Sequence, residues 1–248
     1  MSKIALGIDI GGSGIKGAPV DLEKGCLAED RLRIPSPPNA GPEEVIEIIQ
    51  QIIRHFGVKK EIIGCCFPAA IKHGTVVTAA NISDQWLNKD VNALFSEKTG
   101  KRFFVLNDAD AAGNALVRFG SPLNTQGTVL VITVGTGLGS ALFINGTLVP
   151  NTEFGHIELK GRVAEKYAAD SVRKINDLSW KKWGKRFNRY LVTMERLLWP
   201  DRIVIGGGVS SKERNFRRFL TVETPLEMAL LKNEAGIIGA ALHAAEQS

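Results

Sequence analysis

The chain has 248 residues, 44% of them apolar and 23% charged, enough to bury a substantial core as one large domain or two small ones. It has no apolar run of about 18 residues and no charged start leading into a signal-like stretch, which argues against a membrane or secreted protein and for a soluble, cytoplasmic one. The 31 basic and 26 acidic side chains leave a net charge of +5, unevenly spread: Ser171 to Tyr190 carries seven Lys or Arg against one acid, Asp177, so a local anion site has to be weighed.

Two glycine-rich segments dominate the pattern, GIDIGGSGIKG (Gly7 to Gly17) and ITVGTGLGSALF (Ile132 to Phe143). Each reads as an apolar strand, a tight turn and a second strand. Glycines with hydroxyl residues let the backbone approach a phosphate chain closely and point N–H groups at it. Neither segment fits the Walker pattern or the dinucleotide fingerprint, whose glycines open a helix directly after a strand.

In chain order, strands are expected at Lys3 to Asp9, Ile15 to Val20 and Arg31 to Ile34. SPPNAG (Ser36 to Gly41) breaks the pattern, and Pro42 begins a helix with Val45, Ile48, Ile49 and Ile52 at helical spacing. Ile62 to Phe67 reads as a buried strand, Thr75 to Ala80 as a short strand and Val91 to Thr99 as a helix. Phe103 to Leu106 is a strand that delivers Asn107 and Asp108 at its carboxyl end, where open α/β sheets bind ligands.

The second half repeats this order of elements without repeating the sequence. Strands are expected at Thr128 to Val134, Ser140 to Ile144, Thr147 to Leu148 and Ile203 to Ile205, the last ending in Gly206-Gly207-Gly208, with helices between Ala164 and Trp199. The helix from Ser179 to Trp199 sets Trp180, Trp183, Phe187, Tyr190, Leu191, Met194, Leu197 and Leu198 on one side and Lys181, Lys185 and Arg189 on another, and Pro200 ends it. Ala235 to Ala245 is small and apolar, suited to close packing on a sheet. The fold class is therefore α/β, with a domain at 1–107 and another at 108–248, the last helix being able to pack back on the first.

An Asp placed like Asp108 can accept the proton of a hydroxyl that attacks phosphorus, and the competing reading is that Asp108 or Asp110 caps the following helix. NTEFGHIEL offers Asn151, Glu153, His156 and Glu158, the paired donors and acceptors that sugar hydroxyls require, although a lone His among apolar neighbours is usually structural. Asp9 beside the first turn suits Mg²⁺ held through water, and Lys16 suits phosphate charge, unless both serve the hairpin. Cys26, Cys65 and Cys66 have neither metal spacing nor a disulfide framework, as in a reducing compartment.

Seven ordered segments resemble the ROK sugar-kinase family, and within it the polyphosphate-using branch of glucokinases. They are GIDIGGSGIKG, TAANISDQW (Thr78 to Trp86), NDADAAG (Asn107 to Gly113), ITVGTGLGSALF, PNTEFGHIEL (Pro150 to Leu159), DLSWKKWGKRFNRYL (Asp177 to Leu191) and IVIGGGVSS (Ile203 to Ser211). The resemblance implies two ribonuclease-H-like domains of the actin and hexokinase type, with an interdomain cleft. It implies Asp108 as catalytic base, and Asn81, Asn107, Glu153, His156 and Glu165 as sugar ligands. The donor phosphates would meet Asp9, Gly11, Gly12, Ser13 and Lys16 in the first turn and Thr133, Gly135, Thr136 and Gly137 in the second.

By the same resemblance, Lys181, Lys182, Lys185, Arg186 and Arg189 form a donor groove for polyphosphate with Gly207 and Gly208, which in ATP-using relatives line the adenine site. Several cations along a groove can hold a polyanion as they hold a nucleic-acid backbone, while a solvated helix face is the competing reading. Zinc-bearing members carry a Cys-x-Cys-Gly-type cluster between the equivalents of His156 and Glu165. This chain reads IELKGRVA there, so no zinc is expected.

The expected reaction is transfer of a terminal phosphoryl group from inorganic polyphosphate to the 6-hydroxyl of glucose, with Mg²⁺ and with ATP open as a second donor. The alternatives are an ATP-dependent kinase for mannose or fructose and a sugar-sensing regulator. The regulator reading is disfavoured because the first strand begins at Lys3, leaving no room for a DNA-binding module. No nucleic-acid or membrane partner is expected, since the aromatic residues of the basic helix follow its buried periodicity. A homodimer is expected from the family.

Overall fold

A computed structural model describes residues 4–12, 14–57, 62–79, 82–120, 126–231 and 234–247. They fall into two compact units, Met1–Phe119 with Glu234–Ser248, and Gly120–Asn233. Ser13 and Asn81, both expected in the site, lie outside the described residues.

The first unit grows from an antiparallel hairpin, β1 (Ile4–Gly11) and β2 (Gly14–Asp21), in which Asp9 faces Lys16 and Gly11 faces Gly14. Two short strands, β3 (Cys26–Leu27) and β4 (Leu32–Ile34), pair with β2. Helix α1 (Pro42–His55) starts with Pro42 in its first turn and buries Val45, Ile46, Ile48, Ile49 and Ile52, as its spacing predicts. Strand β5 (Ile62–Phe67) then pairs in parallel with β1.

The strand expected at Thr75 to Ala80 is shorter. It forms β7 (Thr75–Val76), paired with β6 (Ile71–Lys72) across a turn in which His73 and Gly74 have positive φ. Helix α2 (Val91–Thr99) is capped by Asp90 and ends at a left-handed Gly100. Strand β8 (Arg102–Asn107) pairs in parallel with β5, and α3 (Asp108–Ala115) follows with no intervening loop. The sheet order is β3-β2-β1-β5-β8, with β4 on β2.

The second unit repeats that order with β9 (Thr128–Val134), β10 (Leu138–Ile144) and β11 (Thr147–Val149) as an antiparallel meander. After α4 (Glu165–Ala168), α5 (Asp170–Ile175) and α6 (Trp180–Leu198), strand β12 (Arg202–Gly206) joins β9 in parallel. Helix α7 (Glu213–Phe216) precedes β13 (Leu226–Met228), which completes the order β11-β10-β9-β12-β13.

On α6, Trp183, Phe187, Tyr190, Leu191 and Met194 are buried as expected. Leu197 is 64% exposed, however, because it follows the last buried turn of the helix. Ser179 caps the amino end, and Trp199 takes a left-handed conformation just before Pro200.

The final helix, α8 (Ala235–Glu246), belongs to the first unit and packs on β1, β5 and α3. Glycines on both sides of the contact let backbone meet backbone: a Cβ on Gly7 of β1, Gly64 of β5 or Gly239 of α8 would overlap the carbonyl of Ile237, Ala240 or Ala111 respectively. Because α8 packs heavily against α3, the first unit runs to Phe119, and the division falls after α3 instead of at the expected 107/108.

Candidate functional site

In the first unit the carboxyl ends of β1, β5 and β8 bring Asp9, Cys66 and the pair Asn107-Asp108 to one end of the sheet. Asn107 is buried and caps α3: its Oδ1 accepts the N–H groups of Ala109 at 2.8 Å and Asp110 at 3.2 Å, while its Nδ2 donates to the Ala69 carbonyl at 3.1 Å. The cap is thus Asn107, which neither competing reading of Asp108 and Asp110 had named. Asp108 is left exposed as the first helical residue, its Oδ1 accepting the Ala109 N–H at 2.8 Å. Asp110 is buried.

Asp9 and Lys16, directly opposite in the hairpin, form an ion pair at 2.9 Å. The Lys16 amine therefore neutralises Asp9 before any ligand arrives. The Cys66 thiol donates to the other Asp9 oxygen at 3.4 Å. Burial pushes the Cys66 thiol well up, and the charges of Asp9, Cys65 and Asp108 add to that shift, so it stays protonated beside Asp9.

The first turn carries two partners that the linear pattern did not reveal. Ser36 donates its hydroxyl to the Gly11 carbonyl at 3.0 Å, and Arg33 on β4 lays its guanidinium against Gly14, where a Cβ would come within 3.1 Å of Nε. Arg33 reaches the turn only through the β2–β4 pairing, in which it lies beside Lys16.

In the second unit Thr133 lies near the end of β9, and Gly135, Thr136 and Gly137 form the turn that follows it. It is closed by the Gly135 N–H donating to the Gly137 carbonyl at 3.1 Å, and the start of α5 ties it down. Ser171 donates its N–H to the Gly135 carbonyl at 3.1 Å and its hydroxyl to the Thr136 carbonyl at 2.5 Å. Glu165 lies over the turn, since a Cβ on Gly137 would stand 2.6 Å from its Oε2.

Glu153 and His156 share this neighbourhood. Burial pushes the Glu153 carboxyl up, while the charge of His156 pulls it down and that of Glu165 pushes it up. His156 is exposed, unlike a histidine satisfied inside a core, and follows Gly155, whose backbone packs on the Leu138 carbonyl. Glu153, His156 and Glu165 therefore gather around the second glycine turn. Asp9, Asn107 and Asp108 gather separately in the first unit.

Lys181, Lys182, Lys185 and Arg189 are exposed on α6 and Arg186 is half-buried. Lys181, Lys182 and Lys185 form no ion pair among the described residues. By contrast, Arg173 is held by Asp170 at 2.7 Å and stacks over Trp180 at 4.0 Å from the ring centroid. The helix thus presents a cationic face whose charge its own unit does not neutralise.

The glycines divide in an informative way. Gly11, Gly137 and Gly207 have internal reasons to lack a side chain: the Gly14 carbonyl, Glu165, and for Gly207 a φ of 78° with its backbone against Val134. At Gly12, Gly135 and Gly208 a Cβ would meet nothing within 4 Å among the described residues, and φ does not fall in the left-handed region. Among the described residues no neighbour requires glycine there, which leaves the backbone open to close approach by a ligand.

Among the described residues no group of three His, Cys, Asp or Glu side chains could hold a metal ion. Asp9 offers a single hard carboxylate, already ion-paired. That set fits Mg²⁺, which keeps most of its waters and takes phosphate oxygens, and does not fit an ion needing a complete protein cage. Among the described residues no helix is long and apolar enough to cross a membrane.

The family model described as ROK family matches residues 5–172. The chain is 44% identical to the polyphosphate glucokinase of Mycobacterium tuberculosis over 237 residues, 95% of this chain and 89% of that protein. It superposes on the inorganic polyphosphate/ATP-glucomannokinase from Arthrobacter sp. strain KM with a TM-score of 0.94 at 43% identity, covering 99% of each chain. At 23% identity it shares the fold of the ROK family glucokinase from Streptomyces griseus, with a TM-score of 0.82 over 98% of this chain and 100% of that one. The two repeated sheets are therefore the actin- and hexokinase-like domains that the sequence resemblance implies.

Proposed function

The chain belongs to the ROK family, and from that premise we propose that it moves the terminal phosphoryl group of inorganic polyphosphate to the 6-hydroxyl of glucose, giving glucose 6-phosphate. It is a kinase, a polyphosphate glucokinase. The likeness to enzymes of that activity along nearly its whole length carries this reading. The unneutralised cationic face of α6 and the open backbone at Gly12, Gly135 and Gly208 support it.

In the reaction, Asp108 orients the glucose 6-hydroxyl and takes its proton as that oxygen attacks the terminal phosphorus. The bond to the bridging oxygen breaks, and the polymer leaves one phosphate shorter. Asn107 fixes Asp108 by capping α3, and one Nδ2 hydrogen can still address the sugar. Glu153, His156, Glu165 and Asn81 are the further sugar ligands of this reading. The first turn (Gly11, Gly12 and Ser13) and the second (Gly135, Thr136 and Gly137, with the Thr133 hydroxyl) hold phosphate oxygens, the Gly135 N–H itself being spent on the Gly137 carbonyl. Lys16, ion-paired with Asp9, and Arg33, beside it on β4, place positive charge at the first turn for the phosphates.

Mg²⁺, held at Asp9 through water, would neutralise phosphate charge. Lys181, Lys182, Lys185, Arg186 and Arg189 hold the body of the polymer by point charges. The same reading takes the enzyme as a cytoplasmic homodimer with no zinc.

A second donor and a second sugar, ATP and mannose, are favoured by the likeness to the glucomannokinase and by the open backbone at Gly208. Purified protein offered glucose or mannose with Mg²⁺, and polyphosphate or ATP in turn, tests the assignment by sugar 6-phosphate formed. Turnover with ATP and none with polyphosphate would overturn it.

A further inference from the structure

Tyr167, half-buried on α4, belongs to neither set of residues assigned above. Its hydroxyl accepts a hydrogen bond from Arg189 Nη1 at 2.9 Å, and the Arg186 guanidinium lies over its ring, 5.2 Å from the centroid. Arg186 and Arg189, three apart on α6, occupy neighbouring positions on one helix surface.

The ring sits on a fixed support. The fully buried Trp183 of α6 donates its indole N–H to the carbonyls of Ala168 at 2.9 Å and Ala169 at 3.1 Å, which locks the end of α4 to α6. A tyrosine has two side-chain torsions, so on such a support it is a stiff post against which two long, flexible guanidinium side chains rest.

We propose that Tyr167 is a positioning residue of the donor site: it presets Arg186 and Arg189 as a fixed pair of guanidiniums for adjacent phosphates of the polymer. This rests on the polyphosphate reading of α6. A guanidinium is planar and binds phosphate through a fork of N–H groups, so its orientation matters in a way that a lysine's does not. Ordering the pair beforehand lowers the cost of immobilising it on binding. Tyr167 also lies two residues after Glu165, so the turn of helix that carries the sugar-site glutamate carries this post as well.

The test is steady-state kinetics of the full chain with long-chain polyphosphate. Tyr167→Phe keeps the ring and removes the hydroxyl; its KM for polyphosphate is expected to rise roughly threefold to tenfold, with kcat and the KM for glucose within about twofold of wild type. Arg189→Lys, which keeps the charge and loses the fork, should show a rise of similar size. The double variant should be no worse than Arg189→Lys alone, because the Tyr167 hydroxyl acts through the Arg189 guanidinium.

A change in kcat, glucose KM and melting temperature together, with no selective effect on polyphosphate, would mark Tyr167 as merely structural and overturn the inference. An unchanged polyphosphate KM in Tyr167→Phe while Arg189→Gln raises it would overturn the positioning role alone. If Arg189→Gln and a Lys181/Lys182/Lys185→Gln variant also left that KM unchanged, the donor assignment of α6 would fall and take the inference with it.

Discussion

Replacing Gly12 by Ala separates what the protein needs from what its ligand needs. A Cβ there would meet nothing within 4 Å among the described residues, and the backbone is not left-handed, so the folded state is expected to accept alanine without strain. Removing glycine's freedom from the unfolded chain should then stabilise the protein by about 0.4–1 kcal/mol, a rise of at most about 4 °C in melting temperature at this chain length. The new methyl would stand where phosphate oxygens approach the turn. Losing one hydrogen bond to a charged group costs about 1.5–3 kcal/mol, equivalent to a roughly tenfold to hundredfold loss in kcat/KM. Gly64→Ala is the opposite control: its Cβ would overlap the Ala240 carbonyl and lie 2.8 Å from the Ala241 nitrogen, so it should destabilise by about 3 kcal/mol or more by prising α8 off the sheet. The assay is thermal unfolding beside coupled glucose 6-phosphate formation. A Gly12→Ala enzyme with activity within about twofold of wild type would refute phosphate binding at the first turn.

Three further outcomes follow from the site. Asp108→Asn should lower kcat by about 10²–10⁴-fold while calorimetric glucose binding persists; near-normal turnover would remove it as the base. Glu153 has a carboxyl raised above its ordinary value of 4.5, mainly by burial, so its contribution favours the folded state at low pH and is lost as pH rises through the raised value. Glu153→Gln should therefore melt higher than wild type at pH 8, with the difference shrinking toward pH 4; a difference that grows on acidification contradicts the assignment. Replacing Lys181, Lys182 and Lys185 together by Gln should weaken polyphosphate binding and reduce the slope of log affinity against log salt by about 2–3, and an unchanged slope would show that these lysines do not touch the polymer.

The parts legible in the sequence are those with local signals. The hairpin glycines, the 3.6-residue spacing of α1 and α6, and the buried run of β5 each impose their element through neighbours in the chain. The parts that were not legible depend on pairing at a distance. Strand β13 is three half-buried residues that become a strand only beside β12, and β3 is two residues added to β2. Helix α8 was recognisable as a packing helix, but its effect on the domain division arises from glycine contacts with β1, β5 and α3.

The candidate site divides in the same way. Asp108, Glu153 and Glu165 were marked by motif, whereas Arg33 reaches the first turn through strand pairing and Tyr167 meets Arg186 and Arg189 through helix packing. Asn107 was expected as a sugar ligand; its service as the cap of α3 was the missed role, although an Asn before a helical run is itself a recognised capping signal.

The most direct measurement is the formation of glucose 6-phosphate by the purified protein from glucose, Mg²⁺ and long-chain polyphosphate freed of nucleotides, run beside its Asp108→Asn variant. Sustained turnover by the wild type and its near-complete loss in the variant are the expected results. No product from polyphosphate, or equal turnover by both proteins, would contradict a polyphosphate glucokinase built on that aspartate.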